Sequence, residues 1–197
     1  MNKKICILGA GGIGSCVSAS MTDAGCDITL VDQWADHINK IKSDGLRVIT
    51  KEEDKTRKVN AFHLSDLATF EPKFDYIFMA VKSYDTQWMA KYASVYLRDT
   101  GTLIGLQNAF NDDLNAEMIG RDRIIGSVVE LSCEAFIPGI VQRNTVPTGT
   151  WFAVGELDGS KTERLLEIQS LMKLVGNCDI TDNIYGAKWT KLIANSM

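Results

Sequence analysis

Histidine, proline and paired cysteine are all scarce in this chain of 197 residues, and each shortage excludes something. Only His37 and His63 could offer imidazoles, and no group of histidines, cysteines and carboxylates has the spacing of a metal site, so no metal is expected. The five cysteines, Cys6, Cys16, Cys26, Cys133 and Cys178, are odd in number and form no C-x-x-C pair. That argues against a disulfide framework and for free or buried thiols in a reducing, cytoplasmic setting. Lys plus Arg number 21 against 25 Asp plus Glu, giving a net charge of −4 with no basic patch, so nucleic acid is not the expected partner. Lys3-Lys4 before an apolar stretch has a trace of a signal peptide, but five glycines between Gly9 and Gly25 argue against membrane insertion. V-A-I-K, H-R-D and D-F-G segments are absent, as is G-K-[ST], which removes the protein-kinase and phosphate-loop NTPase readings.

What is present starts near the amino terminus. The apolar run Ile5-Cys6-Ile7-Leu8 ends in Gly9-Ala10-Gly11-Gly12-Ile13-Gly14, a G-x-G-x-x-G loop followed by a helical pattern. Gly9 permits the turn off the strand, Gly11 lets backbone approach a pyrophosphate, and Gly14 lets helix and sheet pack closely. The helix amino terminus adds free N–H groups and a partial positive charge. A second apolar run closes on Asp32, whose carboxylate can accept hydrogen bonds from an adenosine ribose. The cofactor-binding expectation therefore covers Gly9, Ala10, Gly11, Gly12, Ile13, Gly14 and Asp32.

The rest of the pattern predicts an α/β fold, a Rossmann-like, doubly wound and mostly parallel sheet. Strands are expected over 3–8, 27–32, 46–50, 57–62, 74–81, 102–106 and 123–131, with 178–181 a strand or connector. Helices are expected over 13–24, 34–44, 84–97, 111–119, 161–175 and from about 183 onward. The charge run 51–55 reads as a solvated hairpin tip. The stretch 132–158 holds Pro138 and Pro147, two of the three prolines, and reads as an antiparallel extension of the sheet. Ligands bind outside the carboxyl ends of strands in such sheets, which selects Lys82-Ser83 and Gln107-Asn108; a solvated strand end would read the same way. Glu130 and Glu134 read as a solvated sheet edge, and Trp189 and Leu192 as packing residues.

Four segments together resemble the ketopantoate reductase (2-dehydropantoate 2-reductase) family: Gly9–Gly14, Val81-Lys82-Ser83-Tyr84-Asp85-Thr86, Gly105-Leu106-Gln107-Asn108 and Lys188-Trp189-Thr190-Lys191-Leu192-Ile193-Ala194-Asn195. The last is the most specific. The resemblance implies an NAD(P)H-dependent reductase of a small 2-oxo acid. Lys191 would be the catalytic proton donor, Asn195 would help hold substrate, Asn108 would lie at the nicotinamide and substrate end, and Lys82 near the cofactor. Cationic Lys191 suits the chemistry, since ketone reduction builds negative charge on oxygen. Without the resemblance, Lys191 reads as a surface lysine on a terminal helix.

Two departures qualify what is implied. The family's NADPH users carry a basic residue after the second strand, where this chain has Asp32-Gln33-Trp34. A carboxylate repels a 2′-phosphate, so the residues favour NADH where the resemblance favours NADPH. The sequence also stops at Met197, which predicts a dinucleotide-binding domain over 1–181 and, over 182–197, the first helix of an otherwise missing helical substrate domain. A homo-oligomer covering that helix is a further expectation. Alternative functions are a related oxo-acid or opine-type dehydrogenase, and a non-catalytic dinucleotide-binding or redox-sensing module.

Overall fold

A computed structural model describes residues 3–197; residues 1 and 2, the first of the expected first domain, lie outside the described residues. The chain forms β1 (Ile5–Leu8), α1 (Gly12–Asp23), β2 (Ile28–Asp32), α2 (Ala35–Asp44), β3 (Leu46–Ile49), β4 (Asp54–Arg57), β5 (Asn60–His63) and α3 (Leu67–Phe70). It continues with β6 (Phe74–Met79), α4 (Thr86–Tyr96), β7 (Leu97–Gly105), α5 (Asp112–Ile119), β8 (Ile124–Glu130), β9 (Cys133–Ile137) and β10 (Ile140–Arg143). The last elements are β11 (Trp151–Glu156), α6 (Glu163–Met172), β12 (Asn177–Ile180) and α7 (Ile184–Ser196).

The main sheet has eight strands in the order β12-β11-β8-β7-β6-β1-β2-β5. Its pairings are parallel except β8 with β11. Strands continuously apolar in sequence are buried on both faces, as a parallel sheet requires. Along β1, Ile5 and Ile7 join the core packed on one face while Cys6 and Leu8 join the core on the other. α1, α2 and α6 cover the first face, and α4, α5 and α7 the second. Fully buried Phe78 and Phe152 each contribute roughly 1.5–3 kcal/mol. The chain winds outward from β1 through β2, then returns to β1's other side as β6. The carboxyl ends of β1 and β6 therefore flank the topological switch point, where α/β sheets bind ligands.

Two expectations about strands need correction. The stretch 57–62 is not one strand, because Arg57 ends β4 while Asn60 begins β5, and the two belong to different sheets. The stretch 139–146 does not extend the main sheet either. β9 and β10 form a hairpin whose β10 pairs in parallel with β3, giving a second sheet ordered β4-β3-β10-β9. Only β11 is the antiparallel extension. The small sheet buries Leu46, Val48 and Val141 against the α1 side of the core, an apolar demand that local pattern does not display.

Candidate functional site

The glycine loop is shaped by close approaches. Gly9 has φ +110°, and a Cβ there would lie 2.8 Å from the Ala80 carbonyl carbon. At Gly14 a Cβ would stand 1.8 Å from the Gly9 carbonyl oxygen, an impossible contact. At Gly11 nothing lies within 4 Å, so the loop is open on the side where a phosphate would approach. Gly11 also precedes α1 without a side-chain cap, leaving first-turn N–H groups available to an anion.

Asp32 is tied to this loop. Its Oδ2 accepts from the Ala10 N–H at 2.5 Å and its Oδ1 from the Trp34 N–H at 2.7 Å. Each oxygen keeps capacity for another donor. Behind the loop, Ser15 Oγ donates to the Ala10 carbonyl at 2.8 Å and lies 3.4 Å from His37 Nε2. Gly139 N–H donates to His37 Nδ1 at 2.9 Å, which assigns the ring proton to Nε2. His37 is fully buried and stacks on Trp34 with centroids 4.8 Å apart. Burial holds its pKa below the usual value, with Asp32 opposing.

A cleft of about 300 Å³ runs from Gly11, Gly12 and Ile13 past Lys82 and Ser83 to Gln107, Asn108 and Cys133. Lys82 is exposed and among the described residues makes no ion pair. The position a Gly12 Cβ would take is 2.8 Å from Cys133 Sγ, so the start of β9 forms one wall. The Cys133 thiol is held below its usual pKa by a hydrogen bond from Cys16, with Arg143 and Lys82 contributing against the effect of burial.

A buried polar lattice fixes the far wall. Gln107 Nε2 donates to Thr86 Oγ1 at 2.7 Å and to the Val81 carbonyl at 3.2 Å. Asn111 Nδ2 donates to the Asn108 carbonyl at 2.7 Å and to Ser83 Oγ at 3.0 Å. The loops after β6 and β7 are thereby locked together, and Ala109 in the second of them is held at φ +63°, a strained conformation for a residue with a Cβ.

Asn108 also opens onto a cavity of about 90 Å³ lined by Val129, Lys188, Lys191, Leu192 and Asn195. The Asn183 side chain caps α7 by accepting from Gly186 N–H at 2.9 Å. That helix brings Lys191 to β8 and to the Asn108 loop. Lys191 Nζ donates to Asn108 Oδ1 at 2.8 Å and to the Val129 carbonyl. Burial lowers the Lys191 pKa; Glu130 opposes this and Lys188 adds to it. One turn before Lys191, buried Lys188 pairs with buried Asp112 at 2.5 Å.

The residues singled out in sequence thus fall into three groups. Gly11, Gly12, Ile13, Lys82 and Asn108 line the larger cleft, and Asn108, Lys191 and Asn195 line the smaller cavity, so Asn108 joins the two. Gly9, Ala10 and Gly14 shape the loop without lining either. Asp32 lies behind the loop and lines neither space. Sequence reasoning selected Gln107 with Asn108 but missed Cys133, Asn111, Lys188 and Asp112 as parts of the site. The i, i+3 spacing of Lys188 and Lys191 was the one available signal. Glu134 accepts from Asn144 at 3.0 Å on the exposed hairpin, in keeping with a solvated edge. Trp189, Leu192 and Ile193 form an exposed apolar face on α7, with Trp189 against Phe110 at 4.7 Å. Among the described residues no cluster of three metal-ligating side chains occurs, and no helix is long and apolar enough to cross a membrane.

The strand order and the open glycine loop at its switch point define a Rossmann-type dinucleotide-binding fold. The family model described as ketopantoate reductase PanE/ApbA matches residues 5–158, and the chain belongs to that family. A 2-dehydropantoate 2-reductase of Pyrococcus horikoshii is 32% identical over 196 residues, covering 98% of this chain and 61% of that protein. One from Mesorhizobium japonicum is 28% identical over 215 residues, covering 98% and 64%. The chain spans about three fifths of the length of these curated relatives. Among solved structures, the 2-dehydropantoate 2-reductase of Geobacter metallireducens superposes with a TM-score of 0.87 at 24% identity, covering 98% of this chain and 62% of that one. A D-mandelate dehydrogenase solved with NADH gives 0.83 at 20% identity, covering 95% and 60%. Both likenesses are of fold.

Proposed function

We propose that this chain carries the cofactor cleft and proton donor of an NAD(P)H-dependent reductase of a small 2-oxo acid, with 2-dehydropantoate, the substrate in its relatives' names, as the substrate. The observation that carries the reading is the hydrogen bond between Lys191 Nζ and Asn108 Oδ1 where cleft and cavity meet. A bound nicotinamide would supply a hydride to the carbonyl carbon. Lys191 donates the proton that the ketone oxygen gains as the hydride arrives, so ketone, hydride and proton become the secondary alcohol. Burial makes Lys191 a readier donor than an exposed lysine, and until the proton moves its positive charge stabilises the developing alkoxide. Asn108 orients Lys191, while Asn195, one turn further along α7, offers an amide to the substrate.

The glycine loop suits a pyrophosphate, with Gly11 open and the α1 amino terminus uncapped. Lys82, exposed at the cleft wall, is free to meet its charge. Asp32 supports NADH over NADPH: it retains lone pairs for ribose hydroxyls and repels a 2′-phosphate. The lysines of α2, Lys40 and Lys42, are paired with Asp44 and Asp66. A purely sensory dinucleotide module has no use for a half-buried lysine at this junction.

Titrating the chain with NADH and with NADPH tests the binding half of the reading, and following nicotinamide absorbance with 2-dehydropantoate tests the chemical half. Tighter NADPH binding overturns the assignment of Asp32. Full turnover by Lys191→Ala overturns that of Lys191.

A further inference from the structure

Lys188 and Asp112 form a buried ion pair that the proposed chemistry does not use. The two come from elements 76 positions apart, α7 and the first turn of α5, and are 5% and 1% exposed. Burying ions is costly unless they are paired, and here the pairing at 2.5 Å stands without further hydrogen bonds to either group among the described residues. Here the backbone has been cleared for them. A Cβ on Gly105 would lie 2.9 Å from Asp112 Oδ1, and one on Gly126 would lie 3.2 Å from Asp112 Oδ2. Gly105 and Gly126 are partners across the β7–β8 ladder, so two neighbouring strands leave a slot for one carboxylate.

The slot lies beside the site. Asp112 follows Asn111, whose amide holds the Asn108 carbonyl, and Lys188 lines the same small cavity as Lys191, Asn108 and Asn195. Lys188 and Lys191 are one turn apart on one helix face. The geometry points to a positioning role for this pair: it clamps α7 against the amino end of α5, so that Lys191 is held on Asn108 with a like charge one turn away. The role rests on the proposed site, but its test does not need turnover.

The charged groups facing Lys191 are Glu130 from β8 and Lys188 from α7 itself; the Asn108 loop contributes only the neutral amide. Asp112 reaches Lys191 through Lys188, and the neighbouring Asp113 is engaged by Arg121 and Tyr185. Removing the Lys188 ammonium takes away the like charge and makes the protonated Lys191 easier to hold.

The experiment is an NMR titration of the chain labelled at lysine Cε, with Lys191→Arg assigning the signal. Lys188→Met is expected to lower the melting temperature, because it strands a buried carboxylate, and to raise the Lys191 midpoint by roughly one pH unit. Lys188→Met with Asp112→Asn removes both charges at nearly the same shape. It is expected to recover most of the lost melting temperature while the Lys191 midpoint stays raised. Should the single variant fail to fold, the double variant carries the readout. A Lys191 midpoint unmoved in the double variant, with stability recovered, shows a packing role only and overturns the proposal. A Lys191→Ala enzyme with normal turnover would remove the catalytic reading and leave this coupling intact.

Discussion

The two ends of the cleft are built from different materials. The glycine-loop end is made of backbone: strand β1, a turn that tolerates no Cβ at Gly9 or Gly14, and an uncapped helix amino terminus, all within residues 5–23. The lysine end is made of side chains drawn together from afar, with Lys191 meeting Asn108 across 83 positions. Backbone geometry suits an anion that is always the same, since N–H groups and a helix dipole need no side chain to select them. Proton transfer needs a titratable group in a tuned environment, which only burial and neighbouring charges can provide.

The contrast can be broken at either end. The largest effect is expected from Gly14→Ala. A methyl group 1.8 Å from the Gly9 carbonyl must separate α1 from the sheet, costing about 3 kcal/mol or more and abolishing nucleotide binding. Thermal denaturation and a nucleotide titration measure both losses. Lys191→Ala should act in the opposite manner, lowering turnover by roughly 10²–10⁴-fold while nucleotide affinity stays nearly constant. Paired kinetic and binding measurements on that variant show whether the two ends are separable.

The pH dependence sharpens the same comparison. Under the proposed role, the protonated form of Lys191 is the proton donor, so turnover should fall as pH rises through a midpoint below that of an ordinary lysine, and a pH–rate profile reads it. His37, buried behind the glycine loop, titrates in the acid range. Its folded pKa is depressed, so as pH falls below the unfolded value of about 6.5 the unfolded chain binds the proton more readily. Stability should therefore decline on acidification through that window, and the decline should shrink in His37→Gln, as melting curves at several pH values would show.

Smaller effects are expected from Asp32→Asn. It preserves shape but weakens two hydrogen bonds to backbone N–H groups by about 1 kcal/mol in total, and it should shift the ratio of NADH to NADPH affinity toward NADPH. Smallest of all, Cys133 alkylation by iodoacetamide should slow severalfold when NADH is present. The thiol lines the cleft beside Gly12, so peptide mapping of the modified residue reports occupancy directly.

How much of this was readable in advance follows from range. Strand β1, its glycine turn, α1 and Asp32 at the end of β2 were legible because each is a local demand on φ, on apolar continuity or on close approach. Lys82 and Asn108 were legible as polar residues after buried strands, and Lys191 and Asn195 only through a pattern shared with a family. The β9–β10 hairpin was misassigned because alternation identifies a strand but not the strand it pairs with. His37 and Cys133 gave no sign, since one imidazole or one thiol becomes informative only beside its partner.

The amino-acid sequence by itself determined that residues 5–32 form a strand, a glycine turn, a helix and an acid-terminated strand, because backbone sterics act between near neighbours. Tertiary structure decided the rest. Asp32 braces the loop through the Ala10 and Trp34 N–H groups, a second sheet supplies the wall at Cys133, and two glycines on adjacent strands open a slot for Asp112. Burial and long-range Coulomb interactions depend on what folds against a residue, which no short stretch of chain contains.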